Sequence, residues 1–149
     1  MTDQIADGAA VACNPRTVAE AEALVRHVVS LFMPWDVDAL VDGFTDDCVV
    51  RFGALDEFRG RDTLRTFFET RRRQQPDYVL QKQVRALMND TITNQWQGTW
   101  RDGDTGAVRN VTGFETWQMR DGRIAVWEAA FNFVADDGAG DVTQLFAGA

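Results

Sequence analysis

Two residues have types and surroundings suited to moving a proton. Glu115 lies in the segment Val111–Phe133, on a parity shared with Val111, Gly113, Trp117 and Met119. Side chains alternate across a strand, so this parity forms one mainly apolar face, with a carboxylate on it. A buried charge is costly unless it is paired or neutralised. One explanation is chemical, because desolvation in an apolar site tunes a carboxyl toward acid–base work near neutral pH. The other is architectural: a structural Glu paired with a buried Arg, a Trp N–H or a backbone donor. His27, the one histidine of the chain, is the second group. It sits at the edge of a helical stripe beside Leu24 and Leu31, from where it could exchange a proton with Glu115 or orient a substrate oxygen. A lone histidine at such an edge is more often half-exposed or quietly hydrogen-bonded. One His without a cysteine cluster makes no convincing ligand set, so neither a metal nor another cofactor is expected.

Around Glu115 the expected lining is aromatic: Phe52, Trp96, Trp100, Trp117, Trp127 and Phe131. Such rings line concave apolar pockets, and they equally fill ordinary cores. Asn94 shares the parity of Trp96 and could offer a ligand one hydrogen bond. Arg51 and Glu128 fall on the opposite parity and read as surface or interface residues. Asp46 and Asp47 read as a solvated turn before a strand. Arg71-Arg72-Arg73 reads as the solvated end of a helix, compatible with its dipole.

The elements that must position these groups follow from periodicity. Val18, Ala21, Leu24, Val25, Val28, Leu31 and Phe32 recur at helical spacing from Arg16 until Pro34 ends the run. A short helix follows from Asp36 to about Phe44. Cys48–Phe52 reads as a strand, and Gly60-Arg61-Asp62 opens a third helix with Asp62 as its N-cap. Pro76-Asp77 closes that helix. Four further strands are expected near residues 78–88, 91–101, 108–120 and 123–134, the last two joined by the turn dipeptide Asp121-Gly122. Helices followed by a long antiparallel meander indicate an α+β fold, with helices packed on one face of a curved sheet.

The 149 residues suffice for one domain, read as a mobile lead-in over 1–15, a domain over 16–134 and a loose tail over 135–149 in which Leu145 and Phe146 could dock. A net charge of −8 argues against non-specific attraction to nucleic acid or an anionic membrane. Cys13 and Cys48 have no metal or redox spacing and read as two thiols of a cytoplasmic protein. No signal-peptide pattern or bilayer-spanning stretch is present in the sequence, and a cytoplasmic location is expected.

Thr45-Asp46-Asp47-Cys48 before the first strand, Phe58-Arg59-Gly60-Arg61-Asp62 before the third helix, and the hairpin from Trp117 to Ile124 resemble the nuclear transport factor 2-like superfamily. Within it the chain is most similar to the SnoaL-like proteins. Asp77-Tyr78, the Trp96–Trp100 strand and Glu115-Thr116-Trp117 resemble one poorly characterised branch. The resemblance covers about Ala21 to Val134 and implies a cone: a bent sheet wrapped around helices, with a pocket at its wide end. It is specific for fold and weak for activity, since this superfold hosts isomerases, dehydratases, cyclases, epoxide hydrolases and non-enzymatic binders.

The resemblance can be carried over residue by residue. The general-base Asp of ketosteroid isomerases falls at Phe52, so that base is missing. Their oxyanion-hole Tyr falls at about His27, and their protonated carboxylic acid at Glu115. The Arg and Asp of limonene-type epoxide hydrolases fall at Trp96 and Gly98, and their second Asp at Ala129. The Tyr and Asn that hold their water fall at Val50 and Phe52. Epoxide hydrolysis by that mechanism is therefore not expected.

These residues lead to the expectation of a cofactor-independent acid–base enzyme of isomerase, dehydratase or cyclase type. Its partner would be a small, largely apolar molecule bearing a carbonyl or hydroxyl, with Glu115 moving the proton and His27 polarising or relaying. A non-catalytic binder with the same cup and a dimeric interaction module remain as alternatives. A homodimer through the outer sheet face is expected, because rows such as Thr91, Thr93, Gln95, Gln97 and Thr99 are β-favouring and uncharged.

Overall fold

The computed structural model describes residues 13–134. Residues 1–12 of the expected lead-in and the tail over 135–149, with Leu145 and Phe146, lie outside the described residues. Asn14, near the end of the lead-in, is tied to the body: its Nδ2 donates to Asp90 Oδ1 and the Met119 carbonyl, and its Oδ1 accepts the Gly122 N–H.

The fold is α+β, with an open six-stranded sheet. In chain order the elements are α1 (Val18–Ser30), α2 (Val37–Asp42), β1 (Phe44–Phe52), β2 (Phe58–Arg59), α3 (Arg61–Gln74), β3 (Val79–Met88), β4 (Thr91–Arg101), β5 (Val108–Arg120) and β6 (Arg123–Val134). The strands lie in the order β2-β1-β6-β5-β4-β3. All neighbours are antiparallel except β1 and β6, which run parallel. The expected antiparallel meander is the run β3 to β6, and β1 joins it through the one parallel pair. It follows from the long return that brings the last strand back beside the first. Register shifts in the β1–β6, β3–β4 and β5–β6 pairs bend the sheet, as an extra unpaired residue does in a bulge.

The helices close the concave side. Thr17 caps α1 and Asp36 caps α2, each side chain accepting an N–H of the first turn. The cap of α3 differs from expectation. Gly60 holds that position at φ 86° without a side-chain bond, and Asp62 lies within the first turn. What anchors the start of α3 is Arg61, whose guanidinium donates to the Phe44 carbonyl on β1.

The first strand begins earlier than its apolar parity suggests. Asp46 and Asp47 belong to β1 as exposed members, pairing with Arg61 and Arg120 respectively. Polar outward residues concealed that half of the strand. The expected turn between β5 and β6 is present, with Asp121 at φ 51° and Gly122 at φ 74°.

Candidate active site

The concave face of the sheet positions the polar groups. On β5, Glu115 faces Asn94 of β4 on one side and Ala129 of β6 on the other. Its parity points inward, and the whole residue is 2 % exposed. Across β4, Lys82 of β3 pairs with Trp96 and reaches diagonally toward the same carboxylate. Lys82 Nζ lies 2.5 Å from Glu115 Oε1, with side-chain exposures of 5 % and 0 %.

Two further donors fix the carboxylate. Trp127 Nε1 donates to Oε2 at 2.9 Å, and Asn94 Nδ2 donates to Oε1 at 3.3 Å. The Lys82 ammonium lies over the rings of Trp96 and Trp117, 5.2 and 5.7 Å from their centroids. Burial pulls the Lys82 pKa below the usual lysine range, against the attraction of Glu115, and the Arg71 charge adds to the lowering.

A second polar group comes from α3. Leu64, Phe67 and Phe68 set the inner stripe of that helix, and Arg71 is the next residue on it. Arg72 and Arg73 are exposed, as expected of the triplet, but Arg71 is buried. The solvated reading of the run is therefore corrected for its first member. Its guanidinium lies 5.2–5.9 Å from the ring centroids of Phe32, Trp35, Phe52, Phe67 and Tyr78. Its Nε donates to Gln75 Oε1 at 3.0 Å and its terminal nitrogen to the Tyr78 hydroxyl at 3.1 Å. Desolvation pushes the Tyr78 hydroxyl above the usual phenol range, with Arg71 opposing. Gly98 makes room for this tyrosine: a Cβ there would stand 3.1 Å from its hydroxyl oxygen.

Arg71, Tyr78, Lys82 and Glu115 share one internal cavity with Phe32, Phe52, Leu80, Trp96 and Trp127. Its free volume is ≈ 10 Å³, about what one water molecule needs. Two polar atoms beside it, Asn94 Oδ1 and Trp96 Nε1, are buried without a hydrogen-bond partner. Chemically, the arrangement is a carboxylate paired with an ammonium, a phenol held by a guanidinium, and two unused polar atoms within an aromatic shell.

Most of the residues singled out from sequence meet here. Glu115, Asn94 and Trp127 are hydrogen-bonded together, Phe52 and Trp96 line the cavity, and Trp117 flanks Lys82. Phe131 packs on Phe52 and Trp96 from outside the cavity wall. Trp100 stands apart, against Tyr78 and in an outer cleft of ≈ 550 Å³.

The structure does not bring His27 to this cavity. The buried residues of α1 are Ala21 and Val25, and at about 100° per residue His27 lies roughly 200° around from Val25. It is exposed, and the charged partner of Glu115 is Lys82. Sequence reasoning missed Lys82, Arg71 and Tyr78, although signals existed. Lys82 shares the parity of the apolar Leu80 and Val84, and it is the one lysine among fifteen basic residues. Tyr78 is the one tyrosine. Among the described residues, no group of three or more His, Cys, Asp or Glu could hold a metal ion. No described helix is long and apolar enough to cross a membrane.

A model of the SnoaL-like domain matches residues 25–127, and the chain belongs to that family. No curated protein matches. Among solved structures, the chain is similar to the epoxide hydrolase/cyclase-like enzyme SalBIII of pyran-ring formation in salinomycin. There the TM-score is 0.68 at 13 % identity, over 80 % of this chain and 94 % of that one. It is also similar to an NTF2-like protein of unknown function from Exiguobacterium sp. 255-15, with TM-score 0.64 and 20 % identity over 72 % and 97 % of the two chains. A candidate isomerase from Bacillus subtilis gives a TM-score of 0.66 at 16 % identity over 75 % and 86 %. At such identities the likeness is one of fold.

Proposed function

We propose that the chain is a cofactor-independent acid–base enzyme of isomerase, dehydratase or cyclase type, acting on a small, largely apolar substrate with a carbonyl or hydroxyl. The observation that carries this reading is the Lys82–Glu115 pair, fully enclosed beside a second buried cation. A buried ion pair is weak evidence for stability, and ionisable groups clustered in a cleft are a feature of catalytic sites. A structural neighbour is described as an epoxide hydrolase/cyclase-like enzyme, which supports the same class.

In the isomerase case, Glu115 takes a proton from the carbon next to a carbonyl. The electron pair moves onto the carbonyl oxygen, where Lys82 and the Tyr78 hydroxyl stabilise the charge. Return of the proton to a second carbon completes the shift. Trp127 Nε1 and Asn94 Nδ2 hold the carboxylate in place while it works. Asn94 Oδ1 accepts a substrate hydroxyl, the role its missing partner leaves open. A cavity with room for about one water must widen to admit a substrate, and the half-buried rings of Phe52 and Phe131 are the ones that part.

The test is deuterium incorporation from deuterium oxide into a panel of small ketones and enones, followed by magnetic resonance. Exchange that depends on the protein and is lost in Glu115→Gln supports the reading. Absence of exchange, dehydration or cyclisation across the panel contradicts it. The narrowness of the cavity favours one second reading, a dimeric interaction module, in which these charges serve the core.

A further inference from the structure

The inner cavity holds two cations and one carboxylate, and that carboxylate is committed to Lys82. Arg71 is 9 % exposed, and among the described residues no carboxylate pairs with it. Its two hydrogen bonds go to neutral oxygens, those of Gln75 and Tyr78. Cation–π contacts with five rings recover part of its lost hydration, yet a neutral amide oxygen brings no opposing charge to the guanidinium. The guanidinium is therefore under-compensated.

Gln75 also forms part of the wall of the outer cleft, whose apolar side is Trp100, Phe133 and Val134. Phe133 and Val134 are 57 % and 53 % exposed. The Gln75 amide thus stands between a buried cation lacking an anion and an open volume of ≈ 550 Å³. That volume lies within the range of small-molecule sites.

We propose that this cleft seats an apolar monocarboxylic acid, whose carboxylate replaces the Gln75 amide oxygen on Arg71 while its apolar body lies against Trp100 and Phe133. The carboxylate accepts from the Nε that donates to Gln75 and adds the negative charge the amide lacks, while the terminal nitrogen keeps its bond to Tyr78. Making this acid the substrate of the inner cavity rests on the acid–base reading above; its binding rests on Arg71, Gln75 and the cleft alone. The other charged residues of the cleft are Asp102, Asp104 and Arg109, and among the described residues neither aspartate pairs with Arg71. Asp102 accepts the N–H groups of Asp104 and Thr105 and lies 3.5 Å from Arg109 Nε, so it serves its own loop. A chain of net charge −8 exerts no general attraction on anions, so preference for an acid over its amide requires a local cation.

The experiment compares phenylacetate with phenylacetamide, read by tryptophan emission and melting temperature. The expected result is saturable binding of phenylacetate at millimolar or lower concentration, with the amide about ten-fold or more weaker. Gln75→Glu places an internal carboxylate on Arg71, so it should raise the melting temperature and remove the preference for the acid. Arg71→Gln should remove the same preference; if that variant does not fold, Gln75→Glu decides. Equal affinity for acid and amide, binding of neither, or an undiminished preference in Gln75→Glu overturns the proposal. Deuterium exchange into neutral ketones is read separately. Exchange lost in Glu115→Gln, with acid and amide bound equally, removes this inference and leaves the acid–base reading. Preference for the acid with exchange insensitive to Glu115→Gln does the reverse.

Discussion

Lys82 and Glu115 meet at 2.5 Å on the concave face of the sheet, one from β3 and one from β5, with β4 between them. The intervening strand supplies Asn94 to the carboxylate and Trp96 to the ammonium, so both partners are held by the same neighbour. Taking either charge alone out of this arrangement leaves the other buried without its counter-ion.

That asymmetry predicts the outcome of a double-mutant cycle. Glu115→Gln alone should destabilise the fold by about 3–5 kcal/mol, because the Lys82 charge is left buried without an anion, and Lys82→Met should cost less, because Asn94 and Trp127 still donate to the carboxylate. The double variant should recover much of that loss. Urea unfolding of the four proteins measures it, and additive losses would show that the pair is not coupled.

The lowered pKa of Lys82 sets a pH dependence. The unfolded chain holds this proton up to the ordinary lysine value of 10.5, whereas the folded chain releases it earlier. Between the folded pKa and 10.5 the unfolded state binds more protons, so stability rises with pH in that window. Below the folded pKa both states are protonated and this contribution is flat. The melting temperature of the wild type relative to Lys82→Met should therefore increase as pH is raised toward 10.5. A constant or falling difference contradicts the assignment.

Trp127 acts on the same carboxylate through its indole N–H. Trp127→Phe keeps a ring in place and removes that donor. A hydrogen bond to a charged group contributes about 1.5–3 kcal/mol, and the loss in urea unfolding should fall near that range. His27→Ala, on the exposed side of α1, should change stability by less than about 0.5 kcal/mol and leave any deuterium exchange intact.

The expected homodimer would form on the outer sheet face. Phe114 is 59 % exposed at the centre of β5, opposite Gln95 and Ala130, and its neighbours Thr112 and Thr116 are uncharged. Such a face suits a two-fold self-association. Light scattering at micromolar concentration should give the mass of two chains, reduced to one in Phe114→Glu. A monomeric wild type contradicts the proposal.

How far these features were legible in the sequence depended on what kind of signal carried them. Strands β4, β5 and β6 were readable to the residue, because strict alternation and the Asp121-Gly122 turn left one register. β1 was read short, because Thr45, Asp46 and Asp47 are polar, and β2 has only two residues. In the site, Glu115 announced itself as a charge on an apolar parity, and Trp127 and Asn94 followed from shared parity. Lys82 obeyed the same rule on β3, but a long lysine on a half-exposed strand is ordinarily solvated and drew no notice. Arg71 was masked by two arginines that do face solvent. His27 was placed by analogy to a family position, and the rotation of α1 turns that position outward.

The central claim is that Glu115 moves the proton, and one comparison tests it most directly: the rate of deuterium incorporation into a ketone substrate for wild type and Glu115→Gln, each shown to be folded at the assay temperature. Gln keeps the shape of the side chain and one acceptor oxygen, loses the bond to at least one of the three donors on the carboxylate, and cannot exchange a proton at useful pH. The predicted result is a loss of about 10²–10⁴-fold in rate. An unchanged rate in a folded Glu115→Gln protein would contradict the account and leave the Lys82–Glu115 pair as part of the core.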